Sequence, residues 1–328
     1  MRAARLLIVL VATSLLVSGC LASRPRIGFM LGSLDHERYY RDLDAFRRTA
    51  AELDAELLFR SSERVPEDQL AAGRELLEAG VQVLVFQPLN FEVSQKLIAA
   101  CREKEVPAVA YDRLLGDAPF DLYVTQDSLE VGRQQALYAV AATGGRGKYA
   151  ILRGQDGHSV ADEITAGNHE VLDKQPAVRL AAEVHLDRWL AEPAYEATLR
   201  LLEEHPDLRA VLCNNSAMAR GVVQALQERK LAGKVYVAGA DADLENCRYV
   251  AAGLQGMDVL KEIGPLGERA ARAAVSLAQA RPVKEDRLFQ GIKTLVVPVR
   301  AFDKNSLEQV VIESGFHTRQ AVFAEGPR

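Results

Sequence analysis

Apolar residues recur along this chain in two alternating rhythms. From Arg26 onward, short continuous apolar runs alternate with longer stretches in which apolar positions return at helical spacing. The runs Arg26–Leu31, Ala55–Arg60, Val81–Gln87, Pro107–Asp112 and Asp121–Thr125 predict strands. Between them Glu37–Leu53, Glu67–Ala79 and Phe91–Glu105 predict helices, and another helix begins near Leu129. A second series follows at the same pitch, with strands at Lys148–Leu152, Val178–His185, Arg209–Asn214 and Lys234–Ala240. Its helices are Val160–Leu172, Ala194–Glu204, Ala217–Arg229 and Leu244–Ala252. Leu254–Val259 reads as extended, and Pro265 suits the first turn of an Ala-rich helix running to Ala280. The chain closes with an apolar strand, Leu295–Val299, and a segment Leu307–Ile312.

Strands that alternate with helices and are apolar throughout belong in parallel sheets covered on both faces. Two such series predict an α/β protein of two doubly wound parallel-sheet lobes joined by a multi-strand hinge. The first lobe takes residues 25–127 plus 260–291 and the second 128–259 plus 292–328, the long helix returning to the first lobe. No low-complexity linker separates the series, which suits two lobes hinged around a cleft. In an open α/β sheet, ligands sit just outside the carboxyl ends of the strands. The buried run Val106-Pro107-Ala108-Val109-Ala110 passes directly into Tyr111-Asp112-Arg113, so a carboxylate and a guanidinium stand where a ligand belongs.

The apolar rhythm is different ahead of Arg26. Arg2 and Arg5 precede an apolar run, Leu6–Val17, of signal-peptide length, which predicts a leader over residues 1–19. The run ends in Val17-Ser18-Gly19-Cys20, which resembles a bacterial lipobox: Cys20 is the expected lipidation site, anchoring the protein to a bacterial membrane in the periplasm or at the cell surface. The other reading is ordinary cleavage beside an incidental cysteine. Removing Arg2 and Arg5 with the leader takes the net charge from −5 to −7, and no basic patch suggests nucleic acid as a partner.

At 328 residues the chain is long enough for two cores. Cys101, Cys213 and Cys247 are an odd number without C-x-x-C spacing, so buried free thiols are expected rather than a disulfide framework or metal site, although one pair could bridge. The six histidines (36, 158, 169, 185, 205 and 317) are scattered, and Asp241-x-Asp243 has no further acidic ligand at loop spacing, so no metal is expected. No G-x-S-x-G elbow, H-E-x-x-H, Walker A loop or G-x-G-x-x-G is present, so neither catalysis nor a cofactor is expected. A LacI-type regulator would need a helix-turn-helix headpiece, where this chain has an export signal followed at once by strand–helix alternation.

Several segments share a pattern: Glu37-Arg38-Tyr39, Val83–Pro88 with Asn90, Ala110-Tyr111-Asp112-Arg113-Leu114, Asn215 with Gly221 and Gln224-Ala225-Leu226, Gly239-Ala240-Asp241-Ala242-Asp243-Leu244, Met257 through Lys261, and Gly315-Phe316-His317. In these the chain resembles the periplasmic sugar-binding proteins of ABC importers, of the type I periplasmic binding protein fold, and among them the xylose binders. The resemblance implies a monomeric binding protein whose lobes close over one sugar before docking on a membrane permease. It implies ligand contacts from Arg38, Asp112 and Arg113 in the first lobe, Asn215 and Asp241 in the second, and Lys261 from the hinge. The chemistry agrees: a sugar hydroxyl donates to a carboxylate while accepting from a guanidinium, and such charge-assisted bonds are the strong ones. Tyr39 and Trp189 are the candidates for stacking on the sugar.

Other positions depart from the xylose binders. Gly32-Ser33 and Ser216 stand where acidic residues are expected, and Tyr39 and His185 stand where tryptophans are expected. The loop Gly154-Gln155-Asp156-Gly157-His158-Ser159 replaces an Asp-Asn-Asn run, making His158 a further ligand candidate. Arg38, Arg113 and Lys261 against Asp112 and Asp241 leave a formal excess of one positive charge. That excess suggests another pentose, or a sugar carrying a carboxylate or phosphate, in place of plain xylose. The rival role is sensory: the same lobes presenting a sugar to a chemoreceptor or a membrane histidine kinase.

Overall fold

A computed structural model describes residues 24–34 and 37–324, so the expected leader and Cys20 lie outside the described residues. The first series of elements comprises β1 (Arg26–Leu31), α1 (Glu37–Glu52), β2 (Glu56–Ser61), α2 (Pro66–Glu78), β3 (Val83–Phe86), α3 (Phe91–Glu103), β4 (Ala108–Tyr111) and β5 (Leu122–Gln126). The chain then enters α4 (Ser128–Thr143), β6 (Arg146–Arg153), α5 (Ser159–Leu172), β7 (Ala177–His185), α6 (Ala191–Glu204) and β8 (Leu208–Cys213). The second series ends with α7 (Ser216–Glu228), β9 (Tyr236–Ala238), α8 (Leu244–Ala252) and β10 (Met257–Leu260). Last come α9 (Ile263–Ala278), β11 (Arg287–Phe289), β12 (Ile292–Val297), β13 (Arg300–Asp303), a π-helical turn at Glu308–Ile312 and α10 (Arg319–Phe323).

The strands form a seven-stranded sheet ordered β11-β12-β5-β4-β3-β1-β2 and a six-stranded sheet ordered β13-β10-β9-β8-β6-β7. Each is sandwiched by helices, with separate apolar clusters on its two faces. The fold is therefore α/β with two lobes of the type I periplasmic binding architecture. The sheets are mixed, however: β11 pairs antiparallel with β12, and β13 antiparallel with β10. Both extra strands are short, three and four residues, too brief to show a period in the sequence.

One boundary differs from the expectation. The sequence pattern puts residues 292–297 in the second lobe, but β12 pairs with β5 in the first sheet, Leu295 opposite Val124. The last crossing thus falls at Pro298–Val299, and of the last two strands only β13 joins the second sheet. An apolar strand carries no address for its sheet; its partner's register supplies one. The three crossings lie side by side, with the Asp127 amide donating to the Val297 carbonyl at 2.9 Å and Gln126 Nε2 to the Glu262 carbonyl at 3.3 Å. In the first lobe α9 lies tightly against α1: a Cβ at Gly267 would stand 2.8 Å from the Asp42 carbonyl oxygen, so only glycine permits that approach. Cys101, Cys213 and Cys247 are buried and free.

The lobes touch. The Gly116 amide donates to the Gly157 carbonyl at 3.0 Å, the Ser159 amide to the Leu114 carbonyl at 3.1 Å, and the Leu114 amide to Ser159 Oγ at 2.9 Å. Arg287 on β11 pairs with Glu163 on α5 across the same boundary.

Candidate ligand-binding site

Residues just past the carboxyl ends of both sheets meet in this closed cleft. From the first lobe, Arg38 stands on the first turn of α1 and Asp112 directly after β4. The Arg38 guanidinium donates to Asp112 Oδ1, and Gln87, just past β3, donates from Nε2 to Asp112 Oδ2 at 2.9 Å. Burial alone would raise the Asp112 pKa, but Arg38 and Arg113, with the bonds from Arg38 and Gln87, bring it down to about 2. Asp112 adopts φ 71°, the left-handed region. Its backbone is fixed there by its own amide donating to Val124 (2.8 Å) and its carbonyl accepting from Thr125 Oγ1 at 2.9 Å and Tyr123 Oη at 3.2 Å. Arg113 Nε donates to the Pro88 carbonyl at 2.9 Å, which aims its guanidinium along the cleft wall.

From the second lobe, Asp241 sits after β9 at φ 113° and pairs with Lys261 Nζ at 2.9 Å, directly after β10. Desolvation in the cleft raises the Asp241 pKa over the opposing pull of Lys261. The turn that carries Asp241 rests on Asp258, which is fully buried and accepts from the Ala242 amide (3.0 Å), Ser216 Oγ (3.1 Å) and Gln255 Nε2 (2.7 Å). Arg38 and Asp241 lie close enough to raise the Arg38 pKa across the cleft; burial would lower it, but Asp112 and Asp42, followed by Tyr39 and Asp241, prevail.

The aromatic wall is made by Trp189 and His158, with ring centroids 5.0 Å apart. Trp189 lies over Gly154, where a Cβ would be 2.4 Å from the ring, and its Nε1 donates to Gln155 Oε1 at 2.8 Å. Burial, then the Arg113 charge, lowers the His158 pKa to about 3, so the ring is neutral and presents an unpartnered Nδ1. Asn215 caps α7, its Oδ1 accepting from the Met218 amide at 2.9 Å, while its Nδ2 reaches the Trp189 carbonyl at 3.3 Å.

Of the residues singled out in the sequence, Arg38, Asp112, Arg113, His158, Trp189, Asn215, Asp241 and Lys261 converge here. Tyr39 packs partly buried against the first-lobe core, with the Arg38 guanidinium 5.9 Å from its ring centroid. Gln87 and Asp42 were missed, and each had a signal. Gln87 is the polar end of an apolar strand, and Asp42 is one helical turn from Arg38. Asp42 Oδ2 is 3.5 Å from Arg38 Nε, and Tyr111 Oη donates to Oδ1. Asp42 offsets part of the formal positive excess that the sequence suggested. Among the described residues, no group of three His, Cys, Asp or Glu side chains is arranged to hold a metal.

Comparison with known proteins agrees with this fold. A family model described as periplasmic binding protein domain matches residues 27–282. The chain is 32% identical to the D-xylose-binding periplasmic protein of Escherichia coli, over 93% of this chain and 95% of that one. It is 31% identical to the D-xylose-binding periplasmic protein of Haemophilus influenzae, over 91% and 92% respectively. A solved periplasmic ribose ABC transporter structure from Conexibacter woesei superposes with a TM-score of 0.79 at 22% identity, covering 88% of this chain and 94% of that one, and thereby supports the fold. The chain belongs to the periplasmic binding protein family, among the sugar-binding proteins of ABC transporters, and it binds its ligand without transforming it.

Proposed function

We propose that the chain captures a neutral pentose, D-xylose or a near relative, between its lobes and delivers it to an ABC importer permease while tethered through a lipid on Cys20. The observation that carries the pentose reading is the paired carboxylate–cation set, Asp112 with Arg38 and Asp241 with Lys261, facing one another beside the Trp189–His158 wall. Two such pairs suit hydroxyls that donate and accept at once, and they leave buried groups unpaired when a hydroxyl is missing. Asp42 beneath Arg38 offsets part of the formal positive excess, which favours an uncharged sugar over a sugar acid or phosphate. The names of the two xylose-binding relatives point the same way.

Trp189 is the only tryptophan, so its fluorescence reports on the cleft directly. Titrating the leaderless protein with D-xylose should change that emission saturably, and xylose at 100 times its dissociation constant should add about 2.7 kcal/mol of stability. A response to sugar acids or sugar phosphates with none to neutral pentoses overturns the ligand assignment. For the anchor, Cys20→Ala should release the protein from the membrane fraction of fractionated cells; unchanged partitioning refutes it.

A further inference from the structure

The Arg38 guanidinium lies between two carboxylates, and only one of them reaches the cleft. Asp112 keeps 11% of its side chain accessible, whereas Asp42 keeps none. Both Asp112 oxygens are already engaged, one by Arg38 and the other by Gln87. Each carboxylate oxygen keeps a second lone pair, so a sugar hydroxyl can donate to Asp112 beside Arg38; it then shares the charge that holds the guanidinium, which gains from a second counter-ion. Asp42 offers one. Arg38 Nε and Asp42 Oδ2 are both buried, neither has a hydrogen-bond partner, and they stand 3.5 Å apart. A shift of roughly half an ångström would bring them to ordinary hydrogen-bond length. Asp42 itself cannot swing away, because Tyr111, fully buried on β4, donates to its other oxygen.

We propose that Asp42 is a positioning residue: its carboxylate holds Arg38 from beneath, so that the guanidinium keeps its place when a ligand hydroxyl shares Asp112. The inference rests on the sugar-binding reading of the cleft. The groups facing Asp42 are Arg38 from its own helix and Tyr111 and Asp112 from the end of β4. The helix α9, packed on α1, brings Gly267 against the Asp42 carbonyl, and Asp241 acts on Arg38 from across the cleft. Burial lifts the Asp42 pKa to about 7, against the pull of Arg38 and the Tyr111 bond. Positioning by a charged Asp42 is thus present above neutrality and lost below it.

Titration calorimetry with D-xylose, one pH unit above and one below neutrality, tests this. The wild-type protein should bind several-fold more weakly on the acid side. Asp42→Asn should bind roughly tenfold more weakly than wild type above neutrality, with a flat profile. Tyr111→Phe removes a bond that favours the charged carboxylate, so its midpoint should move to higher pH; it also serves if Asp42→Asn fails to fold. A ligand-free measurement runs beside these, the 15Nε chemical shift of Arg38 followed across pH by NMR. With the Asp42 carboxylate 3.5 Å away, that shift should titrate near neutrality in wild type and stay flat in Asp42→Asn. The proposal is overturned if Asp42→Asn keeps the wild-type affinity and pH profile, if the Tyr111→Phe midpoint stays in place, or if the Arg38 15Nε shift responds to pH equally in wild type and Asp42→Asn. Absence of D-xylose binding by the wild-type protein would sink the pentose reading alone, because the resonance still decides the role of Asp42.

Discussion

The two halves of the cleft hold their carboxylates by different means. Asp112 and Asp241 both sit just past a strand with positive φ, at 71° and 113°, a backbone strain of about 1–3 kcal/mol each that the surroundings must offset. Around Asp112 they do so with charge: Arg38, Gln87 and Arg113 keep it ionised, and three further bonds pin its backbone. Asp241 pairs directly with Lys261 alone, Arg38 acting only from across the cleft; it keeps 30% of its side chain accessible and has a raised pKa. The rest of the second half is shaped by a helix cap at Asn215 and by ring packing of Trp189 on Gly154. An arginine's planar fork loses less freedom per bond than a lysine's flexible stem. The first half is thus a preorganised ionic clamp, and the second is a softer surface that gains its form from packing.

The largest test of this contrast compares Asp112→Asn with Asp241→Asn. Removing one partner from a buried ion pair costs about 3–5 kcal/mol, so Asp112→Asn should lower urea stability by roughly that amount and xylose affinity by at least about 100-fold. Asp241→Asn removes a partly accessible carboxylate with a raised pKa but leaves the buried Lys261 unpaired, and should cost less, about 2 kcal/mol. Equal losses would erase the distinction.

Acid should take the halves apart in order. The His158 pKa is depressed to about 3, so the stability of its neutral form is complete above the unfolded value of about 6.5 and is lost as pH falls toward 3. Asp112, depressed to about 2, contributes about 2 kcal/mol above its unfolded value of about 3.9, lost only as pH falls through 2. His158→Gln should therefore flatten the upper acid limb of the stability curve, and Asp112→Asn the lower one, as read by thermal unfolding across pH. A His158→Gln curve parallel to wild type between these values would refute the assignment.

Smaller effects come from shape. Gly154→Ala places a methyl where the Trp189 ring lies, 2.4 Å away, and the ring must move. Emission of the single tryptophan should shift, and xylose affinity should fall several-fold, about 1 kcal/mol. An unchanged spectrum would mean that Trp189 is not held by that contact. Smallest of all, Glu163→Gln weakens the Arg287–Glu163 ion pair between the lobes. It should open the unliganded protein slightly in small-angle scattering and speed xylose release about threefold, near 0.6 kcal/mol. No change in either quantity would show that the pair does not help closure.

The sequence by itself determined the strand–helix alternation, the two-lobe α/β architecture and the polar residues that end its strands. These are local signals: an apolar run or a helical period is complete within a few residues, and Asp112, Asp241 and Lys261 mark strand ends without reference to anything distant. The tertiary structure decided what depends on pairing over distance. It placed β12 in the first sheet through its register with β5, and it added the antiparallel edges β11 and β13, each too short to carry a period. It packed Tyr39 against the first-lobe core. It also changed the charge balance of the site, because Asp42 and Asp112 both meet Arg38, Asp112 from 74 residues away. A local pattern shows which residues carry charge; only the folded chain shows which charges neutralise each other, because that depends on distances in space and on burial, and neither is a property of spacing along the chain.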